Sequence, residues 1–113
     1  MMRVRSDIFV SALIRRVFSA GGFAAVEHKG SPEAGAIAIR QLKRDGTETL
    51  FMPAPQSFME EGDVDRLFEV RKDDAASFEV SEALEKELKF DSDLWVVALE
   101  TETVEGLFAL AEE

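Results

Sequence analysis

The sequence predicts an α+β fold: an N-terminal helix, a mainly antiparallel sheet of about five strands, a second helix preceding a central strand, and a short C-terminal helix. Three observations predict it. Val10, Leu13, Ile14 and Val17 recur at helical spacing. The period then falls to two in short runs on either side of Asp45-Gly46. Last, an apolar hexapeptide, LWVVAL, follows a second helical pattern.

The first helix lies within residues 5–22, RSDIFVSALIRRVFSAGG. Ser6 suits the N-cap, Asp7 the first turn, and Arg15 and Arg16 the end where the helix dipole favours cations. Gly21 or Gly22 stops it. Residues 23–29 (FAAVEHK) read as a strand, followed by a Gly30-Ser31-Pro32 turn. Residues 36–44 and 47–52 flank Asp45-Gly46, a strong hairpin signal. A two-residue turn there places Lys43 opposite Glu48 and Arg40 opposite Phe51, pairing opposite charges and setting a cation over an aromatic ring. Pro53-Ala54-Pro55 ends the strand, because proline cannot donate to the ladder.

Residues 56–65, QSFMEEGDVD, are polar and read as a loop, and residues 67–72 as a further strand. Val80, Ala83, Leu84 and Leu88 mark the second helix, with Glu82–Lys86 and Glu85–Lys89 in the favourable i, i+4 order. Its start is Ser77 or Ser81. Asp91-Ser92-Asp93 stops it. Residues 94–99 are apolar on both faces, with Trp95, Val97 and Leu99 on one and Leu94, Val96 and Ala98 on the other, so the strand belongs inside the sheet. Val104, Leu107, Phe108 and Ala111 suggest the terminal helix. The length is that of one domain over residues 1–113, with 101–113 a candidate appended tail helix.

Composition excludes several function classes. The formal net charge is -10, with +3 on residues 1–20 and -13 on residues 60–113. Such a chain is no general nucleic-acid binder, since phosphate neutralisation needs clustered Lys and Arg. No apolar run approaches the length of a membrane span, so neither nucleic acid nor membrane is an expected partner. With no cysteine there is no disulfide, zinc–thiolate site or thiol nucleophile, which fits a cytoplasmic location. The basic N-terminal stretch is not a secretory signal: Arg15-Arg16 interrupts the apolar run, and capping signals at both ends mark a helix of the fold. Its positive charge can complement part of the acidic half.

Few residues form a chemical constellation. His28 is the only histidine and has no visible catalytic partner, so a rim position at a strand end accounts for it. Asp91 and Asp93 form an Asp-x-Asp step that can share a hard cation, or can bond the backbone of a turn. Glu60, Glu61, Asp63 and Asp65 crowd a glycine-containing loop without EF-hand spacing. Gly21-Gly22 follows a helix rather than preceding one, which excludes a phosphate-binding loop there. Trp95, with Phe9, Phe18, Phe23, Phe51 and Phe68, is expected to build the core.

Three stretches, SDIFVSALIRRVFSAGGFAAV, GTETLFMPAP and FDSDLWVVALE, together resemble the bacterial domain of unknown function 1491 family, small alphaproteobacterial proteins. The resemblance runs to about Glu100, and its clearest feature is the aspartate pair before Leu94. This chain has Ser92 where the family pattern has proline, Ala98 where it tends to an acid, and a longer tail after Thr101. The family has no assigned activity, so the resemblance implies membership without mechanism.

Sequence alone therefore points to a small acidic cytoplasmic protein acting as a non-enzymatic binding or interaction module, with no catalytic residue, cofactor or metal assigned. An unknown protein partner is expected. A homodimer is a candidate assembly, because two helices and a short tail leave apolar sheet surface to cover. The alternative is a small-molecule or divalent-metal-dependent enzyme using Asp91, Asp93 and Glu61, with Arg40 or Arg16 holding an anionic substrate.

Overall fold

A computed structural model describes residues 4–55 and 66–111. In chain order the elements are α1 (Ser6–Ser19), β1 (Phe23–His28), β2 (Ile37–Leu42), β3 (Glu48–Pro53), β4 (Leu67–Ala75), α2 (Ser77–Phe90), β5 (Trp95–Glu100) and β6 (Ala109–Leu110). The strands form one sheet in the order β1-β5-β2-β3-β4-β6. β1–β5, β2–β3 and β3–β4 are antiparallel, while β5–β2 and β4–β6 are parallel. The sheet is thus mixed. β5 reaches the edge of β2 through the long crossover carrying α2, a connection that delivers parallel strands.

The apolar run of β5 is inserted between β1 and β2, which accounts for its two buried faces. On one face Ile37, Ile39, Phe51, Phe68, Trp95, Val97 and Leu99 pack under Val10, Leu13 and Val17 of α1 and under Leu107 of the C-terminal segment. On the other, Ala38, Leu50, Met52, Leu94 and Val96 pack under Val80 and Leu84 of α2. Each large aliphatic side chain so buried stabilises the fold by about 1.5–3 kcal/mol. Both faces of the central strands β5, β2 and β3 are covered within the chain, so burial of the sheet centre supplies no reason for a homodimer, while Phe23, Val26 and Val70 of the outer strands stay exposed.

The aromatic core differs from expectation. Phe51, Phe68 and Trp95 are buried, and Phe9 packs against them. Phe9, Phe68, Phe108 and Phe51 form a chain of ring contacts 5.0–5.9 Å apart. Phe18 and Phe23 instead meet edge-to-face at 5.4 Å and remain about half exposed, because they lie beside the outer strand β1.

Three local features depart from the sequence reading. The β2–β3 hairpin pairs Leu42 with Glu48, Arg40 with Leu50 and Ile39 with Phe51, one residue away from the expected register. Lys43 and Thr47 close a three-residue loop: the Lys43 N–H donates to the Thr47 carbonyl at 3.0 Å and the Gly46 N–H to the Lys43 carbonyl at 3.0 Å. Gly46, at φ 89°, takes the left-handed position that such a bulged loop requires. The Asp45 carboxylate accepts from the Thr47 N–H and hydroxyl at 2.9 and 2.7 Å.

Ser6 is no helix cap. Its hydroxyl is fully buried, donates to the Gly35 carbonyl at 2.5 Å and accepts from Arg66 at 3.0 Å, while Arg5 stands at the cap position. The other end of α1 closes as expected, the Gly22 N–H donating to the Val17 carbonyl and the Gly21 N–H to that of Phe18. Residues 101–111 form no helix. They make turns that press Leu107 onto the sheet, then add β6 beside Leu67 and Phe68 of β4. Apolar spacing of three and four served a turn here, and pairing to β4 supplied the backbone partners that a helix would have supplied to itself.

Candidate functional site

The densest polar constellation lies between the sheet and α2. Arg40 projects from β2 on the face that also carries Leu50 and Glu48 of β3. Its Nε and Nη2 both donate to Glu48 Oε1, at 2.9 and 2.6 Å. Nη1 donates to Glu27 of β1 at 3.3 Å, and Nη2 also reaches Ser81 and Ser77 of α2 at 3.1 and 3.4 Å. Ser77 and Ser81, the two alternative helix starts, share one side of α2 at i, i+4 spacing and are turned toward this guanidinium. Only 11% of the Arg40 side chain and 6% of the Glu48 side chain are exposed. Charges this deep require close pairing, because desolvation otherwise outweighs attraction. The arrangement binds β1, β2, β3 and α2 together and occupies the donors with which an anion would be held.

The remaining candidates do not converge on it. Arg16 belongs to α1 on the opposite side of the sheet, where its Nη1 donates to the Leu107 carbonyl at 2.7 Å. With Arg15, Ser19 and Glu105 it borders a shallow depression. Among the described residues no ion pair joins Arg15 or Arg16 to an acid of the second half. Asp91 and Asp93 are exposed in the turn that enters β5. Asp91 Oδ1 accepts from the Asp93 N–H at 3.0 Å, a backbone-shaping bond. Glu61 lies outside the described residues. Among those described, no group of three or more His, Asp or Glu side chains is placed to hold a metal.

His28 Nδ1 lies 2.7 Å from the Leu94 carbonyl, an acceptor, so the ring donates from that nitrogen. The same corner contains a close approach that the sequence did not disclose. The Asp93 carbonyl accepts from the Ser31 N–H at 3.0 Å, and Trp95 Nε1 donates to the Ser31 carbonyl at 2.7 Å. A Cβ on Gly30 would stand 2.0 Å from the Asp93 oxygen, so only glycine fits there.

A cleft of about 560 Å³ opens at the carboxyl ends of β2 and β5, bordered by Gly21, Lys43, Arg44, Glu100, Glu102 and Thr103. Its charges are mixed and partly engaged. Glu102 accepts from the Arg44 backbone N–H at 2.8 Å. Lys43 is bonded to Asp74, and that carboxylate, reinforced by Asp73 and Asp45, holds its ammonium above the usual lysine range. Asp74, at φ 48°, adopts a left-handed backbone that aspartate tolerates. Asp45 is held below the usual carboxylate range by the Thr47 N–H and hydroxyl. Asp7 is lowered in the same sense by its bond to Arg5.

Sequence reading missed Ser6, Glu48 and Arg66 as interior groups. Arg66 is buried, donates to the Val4 carbonyl at 2.9 Å and lies over the Phe9 ring at 5.4 Å. The available signal was a polar residue on an otherwise apolar stripe, Ser6 falling four residues before Val10.

Residues 4–109 match the model of a family described as "Protein of unknown function (DUF1491)". The chain belongs to that family. The match extends past Glu100 into the segment that forms β6. Three solved structures carry the same fold. One is the solution structure of a protein from A. tumefaciens, 53% identical, covering 99% of this chain and 98% of that one, with a TM-score of 0.86. A crystal structure of a DUF1491 family protein from Caulobacter crescentus is 28% identical over 98% of this chain and 100% of that one, with a TM-score of 0.80. An NMR structure of a DUF1491 family protein from Caulobacter crescentus is 30% identical over 99% and 100%, with a TM-score of 0.78. No curated protein matches the chain. No described helix of this DUF1491 protein is long and apolar enough to cross a membrane.

Proposed function

We propose that this DUF1491 protein is a non-enzymatic interaction module of the cytoplasm whose partners are proteins rather than nucleic acids or membranes. The observation that carries the reading is the closure of the Arg40 group. The Arg40 guanidinium has its donors on Glu48, Glu27, Ser77 and Ser81, and among the described residues no acid–base pair stands beside it with an open position for a substrate. The acidic charge of residues 60–113 supports the choice of partner, since it repels phosphate backbones and anionic lipid alike.

Two measurements test it together. Thermal shift and calorimetric titration of the purified chain with Mg²⁺, Mn²⁺, Ca²⁺ and a panel of anionic metabolites are expected to give no response. Photo-cross-linking in cells from exposed positions is expected to give a discrete protein adduct. Saturable heat or a raised Tm with a metal or metabolite, without a protein adduct, overturns the reading. That outcome favours the metal- or small-molecule-dependent alternative, for which the cleft bordered by Glu100, Glu102, Lys43 and Arg44 offers space.

A further inference from the structure

The chain has no asparagine, and Asp45-Gly46 is its one Asp-Gly step. Such a step carries a chemistry of its own. The glycine nitrogen attacks the aspartate side-chain carbon, an N–Cγ bond forms, and a carboxyl C–O bond breaks. One water leaves, made of the carboxyl hydroxyl and the amide proton. A second water then opens the five-membered succinimide at either carbonyl, returning aspartate or giving isoaspartate, whose backbone runs through the side chain. Glycine favours the closure because it has no Cβ to crowd the attack. Solvent supplies the only co-reactant. Asp45 and Gly46 are both exposed, so burial gives the step no protection.

We infer that Asp45-Gly46 is a modification site held latent by the folded hairpin: isoaspartate forms there once the loop between β2 and β3 opens, and the bonds of Thr47 and Lys43 hold that loop closed. Both reacting groups are engaged. Asp45 Oδ1 accepts from the Thr47 N–H at 2.9 Å and from its hydroxyl at 2.7 Å. Those donors favour the anion and hold the carboxyl below the usual carboxylate range. Closure needs the protonated carboxyl, because an anion has no hydroxyl to expel. The nucleophile is restrained in its turn. The Gly46 N–H donates to the Lys43 carbonyl at 3.0 Å, and the nitrogen attacks only after it has given up that proton. The Lys43 N–H donates to the Thr47 carbonyl at 3.0 Å and closes the loop around both groups. The consequence reaches the interior. Isoaspartate adds one carbon to the backbone of the loop that sets the β2–β3 register, and Glu48, the buried partner of Arg40, directly follows Thr47.

Ageing the full chain at neutral pH tests the inference, with isoaspartate read by mass-spectrometric peptide mapping and by enzymatic methylation. The folded parent is expected to convert Asp45 many-fold more slowly than the same chain unfolded in urea. Thr47→Val, which deletes the hydroxyl and keeps the N–H, is expected to convert it several-fold faster than the folded parent. Thr47→Ser, which retains a hydroxyl, is expected to stay near the parent. A folded parent that converts as fast as the unfolded chain overturns the inference. So does a folded Thr47→Val that converts no faster than the parent, and a slower one would show that the hydroxyl instead polarises the carboxyl toward attack. Should Thr47→Val not fold, native-state hydrogen exchange of the parent decides. The Gly46 and Thr47 amides are expected to exchange well below the unfolded rate, and exchange at that rate overturns the latent state.

Discussion

At the scale of single residues, the Arg40–Glu48 pair shows how a polar interior is made tolerable and yields the sharpest stability prediction. Glu48 is nearly as buried as the aliphatic side chains around it, and Arg40 supplies its two short bonds. Removing one partner strands the other charge, whereas removing both leaves no buried charge beneath α2 to strand. Arg40→Met and Glu48→Leu are each expected to cost roughly 3–5 kcal/mol, and the double variant to recover most of that loss. Urea unfolding of the four proteins in a double-mutant cycle measures the coupling, and additive losses would show that the pair acts only as filler. Asp45 makes a smaller, pH-dependent contribution. Its folded pKa lies below the ordinary value, so its stabilisation is complete above about pH 4 and fades as pH falls through the lowered folded value. Asp45→Ala is therefore expected to be less stable than the parent at neutral pH, with the gap in Tm closing in strong acid. A gap that persists there would assign the effect to loop geometry alone.

At the scale of elements, the loop before β2 and the turn before β5 act as one clamp. Ser31 bonds Asp93 through its N–H and Trp95 through its carbonyl, and Gly30 lets the two backbones touch. Gly30→Ala forces backbone against backbone and is expected to cost about 1–3 kcal/mol, the usual range for overpacking. Its tryptophan fluorescence is expected to shift because the ring of Trp95 is the next atom group the methyl meets. An unshifted spectrum with unchanged Tm would mean the loop simply moves aside. This clamp was not legible in the sequence, for a physical reason. Periodicity reports which face of one element is buried, as it did for α1, α2 and β5, but a close approach between distant loops leaves only an unremarkable glycine. The hairpin was legible in kind and not in register, because Asp-Gly serves both a two-residue turn and a bulged three-residue loop. That one-residue difference moved Arg40 from beside Phe51 to the Glu48 side and created the buried cluster. The C-terminal helix was misread because Val104, Leu107 and Phe108 bury one side of a turn at the same spacing as one side of a helix.

At the scale of the whole molecule, electrostatics works against the fold more than for it. The net charge is -10, and among the described residues the positive end does not neutralise the negative half by direct pairing. Arg16 bonds a carbonyl, Arg5 bonds its neighbour Asp7, and Arg15 is exposed. The ion pairs of β4 and α2, Arg71 with Glu87 and Lys43 with Asp74, are near the surface, where each contributes at most about 1 kcal/mol. Among the described residues, acids on α2 and the C-terminal segment such as Glu79, Glu82, Glu85 and Glu105 stand outside these pairs and repel one another across the molecule. Salt weakens such repulsion once the Debye length falls to about 10 Å, near 0.1 M. It weakens the surface pairs too, so the sign of the salt effect reports which term is larger. With ten more negative than positive charges, repulsion is expected to win. Tm is expected to rise as NaCl is increased from a few millimolar to roughly 0.5 M, most steeply below about 0.1 M, where screening changes fastest. Calorimetry at low protein concentration isolates this from any gain through self-association, since a monomer's Tm does not depend on dilution. A falling Tm over the same range would place the surface ion pairs, rather than the buried pair beneath α2, at the centre of the electrostatic stability of the fold.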